Sequence, residues 1–125
     1  MGLSSVKLDS MITLVWEKDD QGNWLAFETN NIDHVFGSGV CVVWYEADPP
    51  VTVCVGHGDL PQVLHEFIEN RAMLQYRKLG TMRFTYAELP ERLQRGVARY
   101  VSEQLQPVFG DVATLVLSIA VNLPE

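Results

Sequence analysis

An α+β fold, with a small antiparallel sheet flanked by helices, is what this 125-residue sequence predicts. Three observations carry the expectation. Two β-branched and aromatic runs, Val40–Tyr45 and Val51–Val55, face each other across Glu46-Ala47-Asp48-Pro49-Pro50. A capped helical pattern follows at Asp59, and a strand-then-helix pair occupies 81–105. The residues are 47% hydrophobic and 10% aromatic, enough for one domain with a real core and too apolar for disorder. No repeat, low-complexity tract or Gly/Ser linker divides the chain.

The elements read in order. Met11–Trp16 and Asn23–Phe27 flank Asp19-Asp20-Gln21-Gly22, a hairpin turn by composition, so 1–36 is expected to form an N-terminal hairpin extension. An irregular stretch containing Gly37 and Gly39 leads into the central hairpin. A turn centred near Asp48 would set Cys41 and Cys54 roughly opposite each other. Asp59 is an N-cap, Pro61 suits a first turn, and Leu60, Val63, Leu64, Phe67 and Ile68 repeat at helical spacing. After the Gly80 break, Thr81–Ala87 alternates Met82, Phe84 and Tyr86 with polar neighbours, a half-buried strand. Pro90 opens a second helix with Leu89, Leu93, Val97, Tyr100, Val101 and Leu105 on one side, stopped by Pro107. Leu115–Val121 reads as a C-terminal strand within 111–125, with helix as the competing reading.

Composition excludes several classes. Two cysteines make no disulfide framework, and no CxxC or Cys/His pair has zinc spacing. The apolar stretch Val112–Val121 is too short to cross a bilayer, and the opening residues lack the basic-then-apolar pattern of a signal peptide. A soluble, cytoplasmic protein without a membrane partner is expected.

Two tripeptides stand out in the hairpin, Gly39-Val40-Cys41 and Cys54-Val55-Gly56. With a helix from Leu60 and another ending at Pro107, residues 37–110 resemble a degenerate member of the GIY-YIG endonuclease superfamily, whose tripeptides are Gly-Ile/Val-Tyr and Tyr-Ile/Val-Gly. The resemblance implies a GIY-YIG-like core and puts the family's two tyrosines at Cys41 and Cys54, its arginine at Val63 and its glutamate at Ala98. None of these four keeps the family's chemistry. Such a nuclease needs a carboxylate for Mg²⁺, an arginine for phosphate charge and hydroxyls for the nucleophile. Glu103 lies about 140° around the helix from Ala98 and does not replace the glutamate. No hydrolysis by the family route is therefore expected, with Mg²⁺ a cofactor only if the domain is active.

Charge is unevenly spread. The total is −7, and Met1–Asp59 alone carries nine acids against Lys7 and Lys18. Between Arg71 and Arg99, seven basic residues face only Glu88 and Glu91. Arg77, Lys78 and Arg83 are the candidates for contacting phosphates, whereas Arg92, Arg95 and Arg99 form a stripe opposite the helix core face and read as a solvated back. Cys41 and Cys54 read first as small buried hydrophobes, with a redox or metal-binding pair as the alternative. His57 follows the second tripeptide and is an exposed turn residue or a substitute catalytic group; His65 reads as helix surface, and His34 carries no signal. Trp16, Trp24, Phe27, Trp44 and Tyr45 read as packing for the N-terminal hairpin, with stacking on bases as the functional alternative.

Three readings stay open from sequence. The first is a catalytically degenerate GIY-YIG-like domain retained as a nucleic-acid or partner binding module. The second is a protein-interaction or scaffolding domain, including self-association, selected by the charge asymmetry. The third is a metal-dependent phosphodiesterase with rearranged groups such as His57, Asp59 and Cys41.

Overall fold

The computed structural model describes residues 12–109 and 117–125. Its elements are strand β1 (Leu25–Ala26), helix α1 (Thr29–Ile32), strands β2 (Ser38–Tyr45) and β3 (Val51–Asp59), helices α2 (Leu60–Glu69) and α3 (Arg71–Leu74), a 3₁₀ turn at Gln75–Lys78, strand β4 (Met82–Glu88) and helix α4 (Glu91–Leu105). The strands form one antiparallel sheet in the order β1-β4-β2-β3. This is the α+β arrangement expected.

β2 is the centre of the sheet and is covered on both faces, which explains why its sequence is an unbroken apolar run. Cys41 and Val43 join Phe27, Ile32, Cys54, Leu60, Leu64 and Phe84 in the layer under α2. Val40, Val42 and Trp44 join Leu14, Trp16, Val97 and Val101 in the layer under α4. Burial of each such side chain is worth roughly 1.5–3 kcal/mol. The half-exposed Arg83–Glu46 ion pair, 2.8 Å long, adds at most about 1 kcal/mol, so the two apolar layers decide the fold.

Both principal helices form where the capping signals lie. Asp59 accepts the Gln62 N–H at 3.2 Å, and Pro61 sits in the first turn of α2. α4 follows Pro90 and ends at Gln106 in the left-handed conformation, directly before Pro107. β4 is more buried than the half-buried strand expected. Thr85 is inaccessible to solvent and donates to the Glu17 carbonyl at 2.7 Å, so its polar face is also covered.

The terminal expectations need correction. The Asp19 turn exists: the Asp19 carboxylate accepts from Gln21 N and Asn23 N, each at 2.9 Å. Its arms do not pair as a hairpin, because β1 joins β4 instead (Leu25 opposite Phe84, Ala26 opposite Arg83). The expected C-terminal strand is reduced to one parallel bridge between Ile12 and Val121, and residues 117–120 form no strand. Met11 and residues 110–116 lie outside the described part. Side-chain bonding replaces the missing ladder. The Asn122 amide accepts from Leu14 N at 2.6 Å and donates to Leu14 O at 2.8 Å, while Trp16 Nε1 donates to Asn122 O at 2.8 Å. These bonds let Leu14 and Trp16 bury their side chains without forming a regular strand.

Asn122→Ala should lower the unfolding free energy by roughly 1–3 kcal/mol, since it strands both backbone groups of Leu14. Urea denaturation measures this, and an unchanged midpoint would remove Asn122 as the tie between the termini.

Candidate functional site

The two tripeptides begin β2 and run into the end of β3, so their register sets what faces where. Cys41 pairs with Gly56, Val43 with Cys54 and Val40 with His57. The expectation that Cys41 and Cys54 face each other is thus corrected: they are diagonal neighbours, two positions out of step. A ladder irregularity between Val43 and Trp44 admits both Val53 and Cys54 to the α2 layer.

Both thiols lie in packed core. Cys41 is inaccessible and Cys54 nearly so, and the Cys54 Sγ contacts Met73 Sδ at 3.7 Å. Burial pushes the Cys41 thiol up to about 12, against a backbone hydrogen bond at Gly56 that lowers it. Burial, then the neighbouring Cys41, raises Cys54 as well. Neither is poised as a nucleophile. The small-hydrophobe reading describes their surroundings.

The glycines of the tripeptides answer to packing. A Cβ on Gly39 would collide with the Ala87 carbonyl, and one on Gly56 would come within 2.7 Å of Val63 Cγ1 and Phe67 Cζ. Gly56 therefore lets α2 lie close on β3, with Val63 directly against it. Ala98 lies elsewhere, in the α4 layer on the other face of the sheet. Cys41, Cys54 and Val63 thus share the α2 layer, and Ala98 does not join them in a common hollow.

A cleft does exist at the neighbouring end of the hairpin. It encloses about 1160 Å³ between the close of β3 and the first turns of α4, lined chiefly by Ser38, His57, Asp59, Glu91, Arg92 and Arg95. His57 faces this side because it pairs with Val40, and Gly58 after it adopts φ +123°, a conformation that favours glycine. Gln94 anchors the helix to the strand. It is buried, donating from Nε2 to Leu89 O at 2.9 Å and to Ser38 Oγ at 3.2 Å, while Leu89 N donates to Ser38 O at 3.1 Å.

The electrostatics of the cleft are mixed. Burial, and then the Arg95 guanidinium, lower the His57 pKa, which keeps the imidazole neutral at pH 7. Arg92 and Arg95 are exposed. Of the two carboxylates, Asp59 is engaged in capping α2, and Glu91 sits in the first turn of α4, where its charge complements the helix dipole.

The remaining candidates are dispersed. Arg83 donates to Glu46 Oε1 at 2.8 Å and to Trp24 O at 3.4 Å, and Arg77 borders a small hollow of about 290 Å³ beside Phe27 and Thr81. Lys78 is exposed in the 3₁₀ turn. None of the three lines the cleft. Arg99 meets Glu103 at 3.5 Å, and His65 meets Asp33 at 3.2 Å; His34 is exposed. Among the described residues, no group of three or more His, Cys, Asp or Glu side chains is arranged to hold a metal ion. No helix among them is long and apolar enough to cross a membrane.

Sequence reasoning missed that Arg92 and Arg95 line a cleft. Helical periodicity placed them opposite the core, which is correct, but α4 leans over β3, so that flank overlooks the end of the hairpin. A detectable signal was Gln94, a polar residue in step with Val97 and Val101 on the core face. No known protein family, curated protein or solved structure matches this chain.

Alkylation of the native protein should leave both cysteines unmodified, and mild oxidant should leave intact mass unchanged. Rapid modification, or a loss of two hydrogens, would contradict the buried diagonal placement. Ala98→Glu should produce no metal-dependent cleavage and should destabilise the fold by a few kcal/mol, since it forces a carboxylate into the packed α4 layer. A plasmid-nicking assay and thermal melting read the two halves separately.

Proposed function

We propose that this domain is a binding module that takes the phosphate backbone of a nucleic acid at the His57–Arg92–Arg95 cleft and does not cut it by the GIY-YIG route. One observation carries the reading: two exposed guanidinium groups and a neutral imidazole border the same cleft, beside the uncapped start of α4. Arginine suits this task because its planar fork matches two phosphate oxygens. Asp59 and Glu91 balance the formal charge, so the field of the whole cleft attracts little from a distance. Affinity then depends on direct contact with the arginines, and is modest and strongly weakened by salt.

Cys41, Cys54, Val63 and Ala98 lie in the packed layers and not in the cleft, so the reading rests on the arginines and His57 and not on these positions. These positions hold apolar or thiol side chains, and both thiols are raised by burial. A second reading, a phosphodiesterase using rearranged groups, rests on neutral His57, which is competent to accept a proton in the cleft. Cys41 has no part in it, being sealed in the core.

Titration of a labelled single-stranded and duplex oligonucleotide at several salt concentrations tests the proposal. Replacing Arg92 and Arg95 together by alanine should weaken binding at least tenfold and flatten the salt slope by roughly one to two. Arg83→Ala should leave both unchanged. The reverse pattern moves the interface to the Arg77–Arg83 side, and no salt-sensitive association at all sinks the nucleic-acid reading. The pH dependence has a defined sign. A bound phosphate favours the imidazolium, so affinity should rise as pH falls from 7.5 towards 5.5, and His57→Ala should abolish that rise. Cleavage that needs His57 would instead favour the second reading.

A further inference from the structure

A second cleft lies away from the arginines, where the segment holding Trp16–Trp24 meets Val121–Glu125 beside the sheet. It encloses about 550 Å³, and its walls are Trp16, Trp24, Asn122 and Leu123, with Lys18 and Glu125 at its border. Both indoles are held in place. Trp16 is bonded through Nε1 to the Asn122 carbonyl at 2.8 Å, and Trp24 packs edge-on against Trp44, with ring centroids 5.4 Å apart. Asn122 is itself fixed by its two bonds to Leu14.

One face of Trp24 already carries a cation. The Lys18 ammonium sits 4.3 Å from the ring centroid, a seat set by the negative face of the indole. Lys18 occupies it on an exposed stem, and its ammonium is a compact, strongly hydrated charge that packs little apolar surface on the ring. A cation whose charge is spread over methyl groups leaves water more readily and packs more apolar surface against the Trp24 indole, with Trp16 forming the buried wall beside it. The surroundings favour positive charge. Glu125 borders the cleft and is the carboxylate among its lining residues.

We infer that the Trp16–Trp24 cleft is a binding site for a quaternary ammonium group, with Lys18 as the built-in competitor that such a ligand displaces. The group is carried either by a free small molecule or by a trimethylated lysine side chain. An indole locked before binding, with a face that already seats a cation, and a carboxylate at the border are the parts such recognition uses. The site is independent of the arginine cleft, so the two stand or fall separately.

The test is a titration of the full chain with choline, followed by tryptophan fluorescence and calorimetry, with 3,3-dimethylbutanol as the uncharged isostere. A peptide bearing trimethyllysine and its unmethylated counterpart form the second arm. Saturable binding of choline or of the methylated peptide, with the neutral or unmethylated partner at least fivefold weaker, is the expected result; which arm binds identifies the source. Lys18→Ala, at the surface, should tighten binding roughly threefold by vacating the ring. Trp24→Leu should abolish it while leaving oligonucleotide titrations unchanged. Equal binding of the neutral isostere, or no saturable binding by Lys18→Ala, overturns the assignment.

Discussion

Everything else in this molecule depends on the burial of β2 from both sides. A central strand with Val40, Val42 and Trp44 facing one helical layer and Cys41 and Val43 facing the other cannot shift register by one residue without exchanging its two sets of contacts. That locks β3 and β4 on either side of it, and through them the seats of α2 and α4. The glycines at Gly39 and Gly56 belong to the same constraint, since they permit the close approach of β4 and of α2.

The arginine cleft is a product of this layering. Where β2 begins and β3 ends, the strand ends no longer need to pack under helix, and polar residues take over: Ser38, His57 and Asp59 on the hairpin, Arg92 and Arg95 on the helix. Gln94 is the hinge between the two regimes, buried like a core residue yet bonded to Ser38 and to the Leu89 carbonyl. The cleft is rigidly framed but not strongly charged. With Arg92 and Arg95 set against Asp59 and Glu91, its field acts at short range and steers little from a distance.

A short pattern can resemble a catalytic motif for reasons of packing alone, and the two tripeptides illustrate this. Their glycines are required by packing and their cysteines fill core volume, so their present roles are accounted for without a reaction. The positions that resemble a nuclease site fall into two layers, with Ala98 apart from the rest. Meanwhile the polar groups of the cleft lie at His57, directly after the second tripeptide, and at Arg92 and Arg95, six and three residues before Ala98. A reading based on motif positions alone looks in the core, whereas the surface chemistry lies next to it.

Local signals were sufficient wherever the deciding interaction is itself local. The Asp59 cap with Pro61, the Pro90 and Pro107 limits of α4, the Asp19 turn and the α+β order were all legible, because caps, prolines and apolar periodicity act within a few residues. What pairs with what was not. The diagonal offset of Cys41 and Cys54 arises from an irregularity in the β2–β3 ladder, the N-terminal segment is held by Asn122 more than a hundred residues away, and β1 chooses β4 over its own sequence neighbour. Periodicity likewise marks Arg92 and Arg95 as outward-facing without saying what stands opposite. The amino-acid order determined which segments become helix or strand and which faces are apolar; only the tertiary structure decided register and the company each polar group keeps, because those follow from contacts between segments that no local pattern encodes.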